Sequence, residues 1–233
     1  MGRWMYVTTV VGHWLFLPPV TLGDGLAKVG RLGGSVYGED GGKMALPDNA
    51  GDRPVTDPRR LMTVTDDDSF VAAALSPSDL ADDILGWRNS GLTVRVVRGP
   101  KMVTFDGLMT EFGAALQFPH YFGENWAAFQ ECLEDMDWLP AGRGLVIAVT
   151  DADEVLSGER QADLAVLVRS FARARATYAS SIADGEWWDR PAIPFHVVLQ
   201  SDPTSSAGLS RWLDAGATLQ TPDEATPCEE GSR

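Results

Sequence analysis

The chain is poor in the residues that anchor metals and cross-links. Its two cysteines, Cys132 and Cys228, stand far apart, one in a helical pattern and the other in a polar tail. They form neither a disulfide framework nor a zinc-ligand spacing, so a reducing compartment, the cytoplasm, is expected. Its three histidines, His13, His120 and His196, show no paired ligand spacing, and no metal is expected. No glycine-rich phosphate loop joins a strand to a helix, so no cofactor is expected either. Long apolar runs are also missing. Trp4 to Val20 is broken by Thr8, Thr9, Gly12 and His13 and ends at Pro18-Pro19. It is too short and mixed for a membrane span, and no small-residue cleavage site follows a clean apolar run, so no signal peptide is expected.

Positive charge is scarce. Nineteen lysines and arginines stand against 33 acids, for a net charge of −14. Such a chain repels nucleic acid and membrane surfaces and attracts cationic proteins at a distance. Solubility alone accounts for the same excess. The 44 % hydrophobic content is enough for a core.

Three regions follow from the pattern. Residues 1–75 form a glycine-rich extension and linker, with Gly30, Gly33-Gly34, Gly38 and Gly41-Gly42 close together and no sustained helical period. A hairpin near Val7–Leu17 is conceivable there, and Met62 offers an alternative start of the chain. Asp66-Asp67-Asp68 and Ser76-Pro77-Ser78 read as solvated linker. Residues 76–203 are regular. A short helix from Asp79 to Trp87, capped by Ser78, is followed by a β-branched strand at Thr93–Val97 and a turn at Arg98-Gly99-Pro100-Lys101. Phe105, Leu108, Met109, Phe112, Ala115 and Leu116 recur at helical spacing until Pro119. A second helix covers Asn125–Met136, and Leu164 to Tyr178 marks a third. The continuous apolar runs Leu145–Val149 and Phe195–Leu199 suit strands covered on both faces. Strands alternating with helices predict an α/β fold, a small three-stranded parallel sheet covered by helices. Residues 204–233 supply one more short helix, Leu209–Ala215, and a polar tail.

Pro119-His120-Tyr121-Phe122-Gly123-Glu124-Asn125-Trp126 sits between a helix stop and a helix start. Gly123 can take a positive φ, and Asn125 is a natural cap. Tyr121 and Phe122 can present apolar area for contact or plug the core. In the next helix, a 100° projection puts Trp126, Phe129, Leu133 and Met136 on one face. Glu131 lies opposite, flanked by Ala127, Glu134 and Asp135. That stripe is either a solvated face or one edge of a binding surface. From Tyr121 to Arg160 nine acids face two arginines, Arg143 and Arg160.

The run from Val96 to Leu133 resembles the barstar family, intracellular inhibitors of barnase-type ribonucleases. The resemblance rests on the strand, the turn at Gly99, the helix ending Leu116-Gln117-Phe118-Pro119, and Tyr121-Phe122-Gly123-Glu124-Asn125 opening the next helix. It continues more loosely to Leu199. It implies that the second helix and its preceding loop plug the cationic active site of a ribonuclease or related toxin, as an immunity protein or antitoxin does. Tyr121, Gly123 and Asn125 match the family's contacts. Glu131 stands where the family has its dominant aspartate. Ala127 replaces another contact aspartate, Gln130 a tryptophan, and Arg173 an acid of the third helix. The implied partner is a basic ribonuclease or toxin domain, not nucleic acid or membrane. The implied contact set is Tyr121, Phe122, Gly123, Glu124, Asn125, Ala127, Gln130, Glu131, Glu134 and Asp135, on a chain monomeric when free.

Two rivals deserve weight. His120, Glu124 and Cys132 could be offered as a catalytic set, but Cys132 flanks the core side of its helix, and no enzyme is expected. A non-inhibitory interaction module on the same scaffold is the stronger alternative. Trp187-Trp188 lies in a long connection before the last strand. It is a second contact surface or, preferably, a lid packed on the third helix, because paired tryptophans in water are costly.

Overall fold

The structure, a computed structural model, describes residues 57–65, 69–204 and 209–220. The hairpin expected near Val7–Leu17, the glycine-rich stretch and the polar tail from Thr221 lie outside the described residues. Among the described residues the chain runs α1 (Pro58–Leu61), β1 (Ser69–Ala74), α2 (Pro77–Asn89), β2 (Thr93–Arg98) and α3 (Phe105–Leu116). It continues through α4 (Trp126–Glu134), β3 (Leu145–Thr150), α5 (Gln161–Ala179), β4 (Phe195–Ser201), α6 (Ser210–Asp214) and β5 (Thr218–Gln220). Short 3₁₀ turns follow β2 and β3.

All strand pairs are parallel, in the order β2-β3-β4-β1-β5. The α/β class and the parallel sheet agree with expectation; the strand number does not. Five strands form the sheet rather than three. β2, β3 and β4 are the expected ones. β1 continues the sheet beyond β4, pairing Val71 with Val198, and β5 pairs Phe70 with Leu219. The cause is tertiary. Ser69–Ala74 carries three alanines and Thr218–Gln220 is one turn of pleat long, so neither has strong strand propensity alone. Each gains its structure from the backbone groups of the strand beside it.

The covered runs explain the layering. Along β3 and β4, Leu145, Ile147, Val149, Phe195, Val197 and Leu199 point to one face, against α3, α4, α5 and α6. Val146, Ala148 and Val198 point to the other, against Leu61 and the Leu80, Ile84 and Trp87 face of α2. Period-two alternation on apolar residues alone demands cover on both sides. α2 begins two residues earlier than expected, with Ser76 in place of Ser78 as its cap, accepting from the Asp79 N–H at 3.2 Å.

Two polar side chains on the buried strand β4, Gln200 and His196, are hydrogen-bonded, as burial requires. Gln200 donates to the Leu75 carbonyl at 2.7 Å and accepts from the Asp151 N–H at 2.8 Å, tying together the ends of three neighbouring segments. His196 bonds through Nε2 to the Thr63 carbonyl at 3.0 Å, fastening the residues after α1 to the sheet. Arg98 at the end of β2 makes a two-pronged pair with Glu111 of α3, at 2.7 and 2.8 Å. That pair holds the Glu111 carboxyl below its ordinary range and sets where α3 lies on the sheet. Gly99 makes the crossing possible: a Cβ there would lie 2.0 Å from the Asp151 carbonyl oxygen.

Burial pushes the His196 imidazole down to about 4. An unfolded chain protonates it below about pH 6.5, whereas the folded chain resists until about pH 4. Unfolding therefore takes up a proton between these values, and the His196 contribution to stability is lost as pH falls through that window. Urea unfolding from pH 7 to 4 is expected to show a loss of up to about 3 kcal/mol from this group. His196→Gln should flatten that part of the profile; an unchanged slope would contradict the assignment.

Candidate functional site

α3 is closed by Gln117 in the left-handed region, at φ 56°, and the Trp138 indole donates to the Leu116 carbonyl at 2.8 Å. The chain then turns at Pro119, whose carbonyl accepts from the Phe122 N–H at 2.9 Å. Asn125 fastens the far side. Its Oδ1 accepts from the Ala128 N–H and its Nδ2 donates to the Gly123 carbonyl, both at 3.0 Å. One side chain thus caps α4 and fixes the loop before it. The left-handed residue of the loop is Glu124, at φ 47°, and not Gly123 as expected. Gly123 matters through close approach: a Cβ there would meet Asn125 Nδ2 at 3.0 Å.

The two loop aromatics take opposite roles. Phe122 is partly buried against Phe118, ring centroids 4.9 Å apart, and packs over Gly113. Its ring thus packs toward the core, the second of the two roles the sequence left open for it. Tyr121 points out and is 68 % exposed.

α4 buries Phe129, Cys132 and Leu133, while Trp126 is half-buried against Phe105 and Phe129. Ala127, Glu131 and Asp135 are exposed, as the helical projection requires, and so are Gly123, Glu124 and Asn125. Gln130 and Glu134 are half-buried beside α5. There Gln130 donates to the Glu134 carboxylate, and Arg173 of α5 pairs with it at 3.3 Å. Glu134 is therefore engaged within the chain, whereas Glu131 makes no such pair among the described residues.

Beside this pair an open groove of about 570 Å³ separates α4 from α5, lined by Trp126, Ala127, Gln130, Val166, Arg169, Ser170 and Arg173. Arg169, one helical turn before Arg173, was not singled out from sequence. Its signal was the i, i+4 spacing of two arginines on one helix face. The site thus has two electrostatic parts, arginines on α5 and carboxylates at the end of α4. At that end Asp135 is raised above the ordinary carboxylate range by burial and by the neighbouring Asp137 and Glu131. The Cys132 thiol is likewise raised, by burial first and then by Glu131 and Asp135. A thiol held protonated and 5 % exposed is a poor nucleophile. Among the described residues no group of three or more histidines, cysteines or acids is placed to hold a metal ion.

The division between Tyr121 and Phe122 is measurable in stability. Phe122→Ala is expected to cost about 2–4 kcal/mol by leaving a cavity beside Phe118, and Asn125→Ala about 1 kcal/mol by removing the cap. Tyr121→Ala should stay within about 0.5 kcal/mol of the parent. Denaturant unfolding of the three variants tests this; a large loss from Tyr121→Ala would place that ring in the core.

Comparison with known proteins bears on the same segment. Barstar (barnase inhibitor) is the family that matches, over residues 92–200, from the start of β2 to the end of β4. No curated protein matches the chain. Among solved structures, Cdc6p from Pyrobaculum aerophilum is similar at 13 % identity and a TM-score of 0.41, over 65 % of this chain and 38 % of that one. The Drosophila ORC bound to AT-rich DNA and Cdc6 is similar at 15 % identity and a TM-score of 0.41, over 70 % of this chain and 52 % of that one. This chain thus spans well under two thirds of either. The matched segment contains the Asn125 cap, the exposed Tyr121 and the whole of α4, and over residues 92–200 the chain is similar to the barstar family.

Proposed function

We propose that the domain inhibits a ribonuclease or a related toxin in the cytoplasm, laying Tyr121 and the exposed edge of α4 over the cationic active site of its target. The observation that carries this is the pairing of an outward Tyr121 with an unengaged Glu131 on a helix whose rotation is fixed by its buried side. A rigid aromatic beside free carboxylates suits a protein contact, because little side-chain entropy is lost on binding. Glu131, Asp135 and Asp137 repel one another at the end of α4, and a cation brought there relieves that repulsion. Ribonuclease sites hold phosphate with cationic side chains, so they offer the complementary charge. In this role the chain is a binding protein and not an enzyme.

A second reading is a non-inhibitory interaction module on the same scaffold. Ala127, Gln130 and the capture of Glu134 by Arg173 favour it, since they remove or occupy acids along the middle of the surface.

Titration of the full chain into barnase-type ribonucleases, and into basic nuclease domains from the same cell, separates the two. Inhibition of RNA cleavage at one-to-one stoichiometry is expected for at least one of them. Glu131→Ala should weaken it by about 30-fold or more, the loss expected when one member of a buried charge pair is removed. Tight binding without inhibition, indifferent to Glu131→Ala, would favour the module.

A further inference from the structure

The connection from α5 to β4 holds two tryptophans in water. Trp187 is 89 % exposed and Trp188 46 %, whereas Trp87 and Trp212 are fully buried. Neither indole is buried, contrary to the packed lid expected from sequence. Nor is the segment loosely built. Ile182 and Arg190 exchange backbone hydrogen bonds at 2.9 and 3.0 Å, closing the connection like a hairpin. The Asp189 carboxylate accepts from the Asp184 and Gly185 N–H groups, both at 2.9 Å, and Gly185 takes a φ of 84° that admits the turn. The turn presents the two indoles edge to face, centroids 5.4 Å apart, leaving ring faces uncovered.

Charge and position say what meets them. Asp184 and Glu186 are exposed beside the rings. The cation nearest in sequence, Arg190, is occupied: it donates to the carbonyls of Ser180, Pro191 and Thr177 and lies 5.2 Å over the Tyr178 ring. Acidic surroundings disfavour an anionic lipid surface and favour a cationic protein, and open indole faces favour arginine above lysine. Tyr178 also joins this turn to the site on α4. Its hydroxyl accepts from the Met136 N–H at 2.9 Å, and Asp135, Asp137 and Arg190 all act on it electrostatically. The root of the turn and the acidic end of α4 thus share one buried ring.

We infer that the turn at Gly185–Trp188 is a second contact element of the α4 surface, receiving an arginine-bearing face of the same partner protein. This rests on the reading of α4 given above. The surface then runs from Tyr121 along Glu131 and Asp135 to the indole pair, and the turn sets specificity for partners that carry arginine at that margin.

The test uses the full chain, ¹⁵N-labelled, at low salt, with an oligo-arginine peptide and an oligo-lysine peptide of equal length as probes. The Trp187 and Trp188 indole N–H signals are expected to move together with the Glu131 and Asp135 amides, with a single apparent Kd for the arginine peptide. Trp187→Ala should weaken that Kd by about 2- to 5-fold, weaken the lysine peptide less, and leave Tm unchanged. Movement of the α4 amides alone, with Trp187→Ala indifferent, would overturn the inference and leave the α4 reading intact. Movement of the indoles alone would overturn the shared surface. No movement of either would overturn both.

Discussion

Phe129 meets three other rings at once. It is fully buried, with Phe112 at 5.1 Å, Trp126 at 5.8 Å and Phe118 at 6.0 Å, all three edge to face. This cluster fixes both the rotation of α4 and its distance from α3, and every exposed group of the site inherits its direction from that rotation. Were α4 turned by one residue, about 100°, Glu131 would leave the surface and Gln130 would take its place. Phe118 and Phe122 extend the cluster into the loop, which is why Tyr121, their neighbour, is turned outward. The cap at Asn125 then locks the junction. Preorganisation of this kind removes ordering costs from binding.

The same geometry divides the charge. Acids collect where α4 ends, at Glu131, Asp135 and Asp137, while α5 brings Arg169 and Arg173 to the adjoining groove. Arg173 satisfies Glu134 and takes one carboxylate out of the surface. A pair whose arginine stays in solvent adds little stability; its effect is on the field a partner meets. A target must therefore complement an acidic end and tolerate two arginines beside it, which differs from a uniformly acidic plug.

Much of this was legible in the sequence because it rests on local periodicity. Phe105 to Leu116 and Trp126 to Met136 carry a clear helical period, and Leu145–Val149 and Phe195–Leu199 are continuous β-rich runs. Glu131 opposite Phe129 followed from the helix repeat alone. What escaped depends on contacts distant in the chain. β1 is alanine-rich and follows three aspartates, so only its pairing with β4 reveals it as an interior strand. β5 is three residues long and owes its form to β1. The split between Tyr121 and Phe122 lies in a loop, where no period assigns a face. The capture of Glu134 joins residues 39 apart in sequence. The exposure of Trp187 and Trp188 went against hydrophobicity, because Asp189 and Gly185 hold the turn open.

The central claim is that a preorganised acidic helix edge meets a cationic target. Its most direct measurement is the association rate with an inhibited nuclease as ionic strength rises from about 0.01 to 0.5 M, a range over which the screening length falls from roughly 30 Å to under 10 Å. The account predicts a rate that falls steeply with salt while dissociation changes little. An association rate indifferent to salt would contradict it.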